Sequence, residues 1–207
     1  MSAGSRQLSH EASRRELTKK RLLEAAVPVI GRKGGMQARI EEICGAARVS
    51  RGTFYNYFND MNEFYSCLWN MLTMAQTALI ESALGEVEGN IERLRVAMAC
   101  YLEKARRDTA WGWAMVNLAV DGLVESDDAF FSVQNMIERG MESGEFRISD
   151  VQAGCDIVVG ACLTGMLTIL KNPSGSASSS IVTEMLLRAL NTSPDGLIKP
   201  AKAITTG

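Results

Sequence analysis

Apolar residues recur at helical spacing along most of this chain. Leu22, Ala25, Ala26, Val29 and Ile30 fall at i, i+3, i+4, i+7 and i+8, one face of a helix, with Lys19, Lys20 and Arg21 largely off it. The pattern begins near Ser13 and predicts a stop at Gly34-Gly35, behind Arg32 and Lys33. Pro28 falls inside it, removes one backbone bond and predicts a kink. A second short helix is predicted over 39–47, with Ile40, Ile43, Cys44 and Ala47 inward. Ser50 is placed to cap a third helix on the N–H of Gly52 or Thr53, and Asn59 or Asp60 a fourth that runs to about Leu84. Further helices are predicted over 90–107, 109–124, from Asp127 or Asp128 to Gly144, from Asp150 to about Lys171, and over 181–190. A Ser/Gly-rich connector (171–180) precedes the last helix and a polar tail follows it. No regular strand alternation is found, so the fold class is all-α.

The third helix has an unusual distribution of side chains. Aromatic residues are 6% of the chain, yet Phe54, Tyr55, Tyr57 and Phe58 fall together in "VSRGTFYNYF". At 100° per residue, Phe58 lies about 40° from Phe54, whereas Gly52 and Asn56 lie about 160° and 200° away. Thr53 also points toward the outer side, and the two tyrosines occupy the shoulders. The phenylalanines are therefore core. The outer face is small and polar, and its flanks carry hydroxyls. A helix laid in the DNA major groove has this division: small groups approach base edges and flanking groups reach phosphates. Charge agrees with it. Residues 1–60 carry eleven Lys/Arg and six Asp/Glu, whereas residues 61–207 carry eleven and eighteen. A basic front on an acidic remainder suits a polyanionic partner.

The segment from Thr18 to Tyr65, "TKKRLLEAAVPVIGRKGGMQARIEEICGAARVSRGTFYNYFNDMNEFY", resembles the DNA-binding domain of the TetR (tetracycline repressor) family. The match covers about the first third of the chain, and "IERGMESGEFR" (137–147) is a weaker likeness to the family's C-terminal half. Three positions depart from the family pattern. Ala38 stands where Thr or Ser often opens the second helix, Met61 where Lys is common, and Pro28 lies within helix 1. Arg39 is expected to take over the contact missing at Ala38. The resemblance implies an N-terminal three-helix helix-turn-helix domain (14–62) behind a flexible basic leader (1–13). It also implies a helical effector-binding and dimerisation domain (63–191) and a flexible tail (192–207). The expected DNA-binding residues are Arg39, Ser50, Arg51, Gly52, Thr53, Tyr55, Asn56 and Tyr57. Lys19, Lys20 and Arg21 would add phosphate attraction.

Two surfaces remain for the C-terminal half. The helix after Asp150 is apolar nearly all round yet rich in small residues, which fits close approach of a second copy. Ala153, Ile157, Gly160, Ala161, Thr164 and Gly165 are the expected homodimer contacts. Met74, Met98, Tyr101, Trp111, Trp113, Asn117, Met136 and Met166 are the expected effector contacts, because methionines suit an adaptable apolar pocket. The function implied is a homodimeric regulator, a repressor, released from a palindromic double-stranded operator by a small apolar effector. The alternative is a DNA-binding regulator or architectural factor controlled by a protein partner with no small-molecule ligand, which a filled C-terminal core would favour. An enzyme is disfavoured: the sole histidine is His10 in the leader, and there is no Gly-rich phosphate loop or nucleophile elbow. The five cysteines show no CxxC or Cys/His spacing, so no metal or cofactor is expected. The most apolar run, Ile157–Leu170, is fourteen residues and short for a bilayer span of roughly 20. With no apolar leader segment, a cytoplasmic protein without membrane contact is expected.

Overall fold

The computed structural model describes the backbone of residues 3–33, 37–120, 128–172 and 178–191, and side chains at 14–32, 37–120, 132–172 and 181–191. These residues form nine helices and no strand: α1 (Ala3–Lys33), α2 (Ile40–Ala47), α3 (Arg51–Tyr55), α4 (Met61–Ala83), α5 (Asn90–Arg107), α6 (Thr109–Leu118), α7 (Asp128–Glu142), α8 (Val151–Lys171) and α9 (Ser178–Leu190). The predicted stop at Gly34-Gly35, residues 121–124, the Asp127 and Asp128 capping side chains, most of the connector and the tail lie outside the described residues.

Helix boundaries follow local chemistry at most ends. Ser50 Oγ accepts from the N–H of Thr53 (3.1 Å), Asp60 from that of Glu63 (2.8 Å), and Asp108 from that of Trp111 (3.0 Å). Asp150 likewise accepts from the N–H of Ala153. Two features of α1 differ from expectation, and α9 begins at Ser178, three residues before the expected start. The backbone is helical from Ala3, so the segment expected as a flexible leader continues α1. Extending an existing helix avoids the nucleation cost, so a segment with three serines and a glycine can continue it without an apolar stripe. α1 also runs unbroken through Pro28, which is exposed, so water can take the carbonyl that loses its donor.

One buried core extends from Leu22, Ala26 and Ile30 of α1 through Phe54, Phe58 and Phe64 to Leu102, Met115 and Met166. The expected border near residue 62 is therefore bridged by α4, whose first turns pack under α3 and whose middle turns face α5 and α6. A second cluster joins Leu94, Met98, Ile137, Phe146, Cys155, Val158, Leu186 and Leu190 around α8. At 21 residues and a mean hydropathy of 1.8, α8 is by length and composition able to cross a membrane. It packs instead against α5, α6, α7 and α9, burying Gly154, Cys155, Val158, Met166 and Ile169.

The start of α5 is capped from a distance. Gly89, its N-cap at φ 78°, has no side chain to offer. Glu145, in the turn after α7, accepts from the N–H groups of Asn90 (3.0 Å) and Ile91 (3.1 Å). It also accepts from the Asn90 side-chain amide (2.9 Å) and from Ser143 (3.0 Å). These donors, the two backbone N–H groups foremost, lower the Glu145 carboxyl from 4.5 to about 2. A depressed folded-state value contributes stability above pH 4.5, lost as pH falls toward 2. Glu145→Gln is therefore expected to unfold at lower denaturant than the wild type at pH 7, with a gap that narrows steadily between pH 4.5 and 3. A pH-independent gap in urea titrations would contradict this role.

Candidate DNA interface and effector cavity

The exposed face of α3 rests on buried rings. Phe54 and Phe58 are fully buried, with ring centroids 5.3 Å and 5.0 Å from that of Phe64 on α4. The opposite side leaves Ser50, Arg51, Gly52, Tyr55 and Asn56 exposed, with Thr53 and Tyr57 half-buried. The Ser50 and Thr53 hydroxyls lie 2.9 Å apart, and the Tyr55 ring meets Phe54 edge-on at 5.6 Å. Arg51 pairs with Glu41 at 2.8 Å, both side chains more than half exposed. Such a surface pair is weak, about 0–1 kcal/mol, and yields to a polyanion. Arg39 is exposed at the N-cap of α2, where Glu42 accepts from its N–H at 3.0 Å.

Gly52 has no steric reason to be glycine within the chain. A Cβ there would meet nothing nearer than Ser50 Oγ at 3.7 Å. Glycine in a helix costs about 0.5–1 kcal/mol relative to alanine. The vacant space therefore faces outward.

Two basic residues of this region have roles that the sequence did not specify. Arg15, inside the expected helix-turn-helix domain and a candidate minor-groove contact by sequence, donates to the Asn56 carbonyl (3.1 Å), and its guanidinium lies over the Tyr57 ring at 5.8 Å. It satisfies a carbonyl at the end of α3 and ties that end to α1. Arg48 adopts a left-handed conformation (φ 55°, ψ 47°) at the end of α2, a position that favours Gly or Asn. Its side chain is exposed on the α2–α3 turn. The signal for both was a basic residue beside the recognition segment, without any indication of what it touches. Lys19, Lys20 and Arg21 are partly engaged: Lys19 lies over the Phe58 ring at 5.6 Å, Lys20 faces Glu24 at 3.6 Å, and Arg21 donates to the Ala47 carbonyl at 3.4 Å.

In the C-terminal half an apolar cavity of about 90 Å³ lies between α4, α5, α6, α7 and α8. Met98, Tyr101, Met136 and Met166 line it, as expected from sequence, together with Met115. The other four expected residues do not. Met74 is 64% exposed on the outer side of α4. Trp111 turns to the α4 backbone, its indole N–H donating to the Leu72 carbonyl at 3.3 Å. Trp113 packs on α1 at Gly31, where an added Cβ would come within 3.2 Å of its own Cβ. Asn117 donates its side-chain amide to the Ile30 carbonyl at 3.1 Å. Helical spacing shows that these residues share an element, but not which neighbour each face meets.

Trp69 and Thr73, one turn apart on α4, line the cavity and were not anticipated. The Trp69 side chain is buried, and its indole N–H finds no hydrogen-bond partner among the described residues. An unpaired buried donor costs about 1–3 kcal/mol. Cys162 also lines the cavity, where burial pushes its thiol up to about 12 and keeps it neutral.

The expected dimer residues divide. Ala153, Ile157, Gly160 and Thr164 are exposed along one side of α8, and Ala161 is half-buried. Gly165 is a correction: it is buried, and a Cβ there would come within 2.8 Å of Leu102 on α5. It faces the protein's own core because it lies about 120° from Ala153 around the helix. α9, packed on α8, exposes Ile181 (56%) and Met185 (66%).

Residues 22–66 match the family model described as bacterial regulatory proteins, tetR family. A search of curated protein sequences returned no significant match. Solved structures show the same fold. A TetR family transcription regulator from Marinobacter aquaeolei VT8 is 13% identical, with 86% of this chain and 98% of that chain covered at a TM-score of 0.71. The transcriptional regulator FadR from Bacillus subtilis, in complex with stearoyl-CoA, is 20% identical, with 82% and 98% covered at 0.66. RolR in complex with resorcinol is 20% identical, with 87% and 91% covered at 0.60. Residues 22–66 thus carry a helix-turn-helix segment of the tetR family, and more than four-fifths of the chain shares the fold of solved tetR-family regulators.

Proposed function

We propose that this regulator is a homodimeric repressor that binds a palindromic operator through α3 and is released by a small, mostly apolar effector held between α4, α5, α7 and α8. The observation that carries the DNA-binding part is the outward face of α3: exposed Gly52, Tyr55 and Asn56, backed by fully buried Phe54 and Phe58. Ser50, Arg51, Thr53 and Tyr57 flank that face, and Arg39 and Arg48 add exposed positive charge beside it. One short helix offers few base contacts, so useful specificity calls for two copies on one duplex. The exposed stripe of α8 and the apolar side chains of α9 suit that pairing, because a four-helix interface would cover Ile157, Ile181 and Met185.

The apolar cavity favours a ligand-controlled regulator over one governed only by a protein partner. Ligands in the structures of B. subtilis FadR and RolR make a small-molecule effector a natural expectation for this chain too. α6 supplies a mechanical link. Met115 forms part of the cavity wall, while Trp113 and Asn117 on the same helix hold α1. A ligand that displaces Met115 would shift α6, tilt α1, and with it the α3 face. Couplings of this kind are typically about 1–3 kcal/mol.

Selection of bound DNA from a random pool is the primary test. A palindromic consensus is expected, and recovery of no consensus would overturn the proposal. Gly52→Ala is expected to raise folding stability by about 0.5 kcal/mol while weakening operator binding about tenfold, corresponding to about 1.4 kcal/mol; unchanged affinity in a gel-shift titration would refute close approach at this position. Ile157→Arg is expected to yield a folded monomer in analytical ultracentrifugation, and a persistent dimer would move the interface elsewhere. Asn117→Ala is expected to leave effector affinity nearly unchanged but reduce ligand-induced operator release; full release would show that the α6–α1 bond does not carry the signal.

A further inference from the structure

The apolar cavity does not end in a closed wall. A groove of about 470 Å³ adjoins it, and Ala97, Tyr101, Val133 and Met136 line both. Along α4 the two spaces form one line, with Trp69 and Thr73 in the cavity and Thr77, Glu81 and Leu84 in the groove. Fifteen residues separate Trp69 from Leu84, or roughly 22 Å at 1.5 Å per residue. The combined space is therefore elongated along α4.

Its two ends differ in chemistry. The cavity wall is almost wholly apolar: its thiol is neutral, and the Thr73 hydroxyl is already bonded to the Trp69 carbonyl at 3.0 Å. At about 90 Å³ the cavity is smaller than the engineered one of about 150 Å³ that accepts benzene, so a chain that continues into the groove fits better than a ring held wholly inside. Four methionines in the wall (Met98, Met115, Met136 and Met166) can shift to accommodate its length. The groove holds Arg93 and Arg139 against a single carboxylate, Glu81. Arg93 donates only to neutral acceptors, the carbonyls of Leu84 (3.1 Å) and Val87 (3.0 Å). Neither arginine has a carboxylate partner among the described residues, although eight ion pairs form elsewhere among them.

We infer that cavity and groove form one site for a single-chain amphiphile, with an unbranched alkyl tail among the methionines and an anionic headgroup at Arg93 and Arg139. This rests on the proposed effector function and narrows its ligand to a chemical class. Arg139 reads the charge directly. Arg93, held in place by two carbonyls, is pre-positioned to do the same. Ala97 and Val133 form the neck, where the ligand passes from apolar to polar surroundings.

Calorimetry on the full-length protein without DNA tests the inference, using decanoate, decan-1-ol and decyltrimethylammonium as probes with matched tails. Decanoate is expected to bind one molecule per chain, at least tenfold more tightly than decanol, with the cation weakest. Arg139→Gln, at an exposed side chain, should erase most of the difference between decanoate and decanol while leaving decanol binding unchanged. Arg93→Gln should act in the same direction. Ala97→Phe, at the neck, should weaken both decanoate and decanol. Equal affinity for the acid and the alcohol, no effect of Arg139→Gln, or no binding of either probe would overturn the inference. The proposed function fails separately: decanoate that binds as described yet leaves the operator complex intact would sink release by this ligand and leave the site standing. A different ligand that releases DNA from a protein blind to decanoate would do the reverse.

Discussion

A five-residue helix is not stable in water by itself, because its few hydrogen bonds do not repay nucleation. α3 exists because Phe54 and Phe58 are clamped against Phe64, ring to ring, at 5.0–5.3 Å. Everything proposed for DNA depends on that clamp. It fixes which side of α3 is hidden and so which side is offered, and Arg15 adds a second tether from α1 to the carbonyl of Asn56. The recognition surface is thus an outcome of aromatic packing below it, and its small polar residues need contribute nothing to folding.

The same economy extends to the C-terminal half. α6 is buried on nearly all sides, and its sides do different work. Trp111 faces α4 and the Tyr101 ring, Met115 faces the cavity, and Trp113 and Asn117 face α1. A close-packed helix moves as a unit, since a shift on one side cannot be absorbed without repacking the others. α4 contributes to both regions as well, with Phe64 beneath α3, Tyr65 donating to the Ala38 carbonyl, and Trp69 and Thr73 at the cavity. In the proposed function, the continuous core that joins these elements would carry communication between an effector and an operator.

Two exposed glycines, Gly52 and Gly160, share a feature. Neither would meet a serious contact if a Cβ were added, and each weakens its own helix. By contrast, Gly154 and Gly165 are occupied from within, by Ile148 and Ile137 and by Leu102. The distinction separates glycine required by the chain's own packing from glycine left open on its surface. It also divides the small residues of α8 into an inner row and an outer row, which composition alone lumps together.

The amino-acid sequence by itself determined the helices, their caps and the buried side of α3. These are local matters: a cap is a bond between residues three apart, and an apolar face is a consequence of spacing. It also indicated the tetR-family likeness of residues 22–66, because the helix-turn-helix segment is short and dense in constrained positions. Tertiary structure decided what local spacing cannot carry. Trp113 and Asn117 lie on α6 as expected, yet they meet α1 and not the cavity. Trp69 and Thr73 went unnoticed because nothing within α4 indicates that α5, α7 and α8 leave a space beside them. Gly165 turned inward, Glu145 capped a helix 55 residues away, and the leader joined α1. In each of the first two cases, and for the cavity, the deciding partner lies far off in the chain, and only packing brings it close.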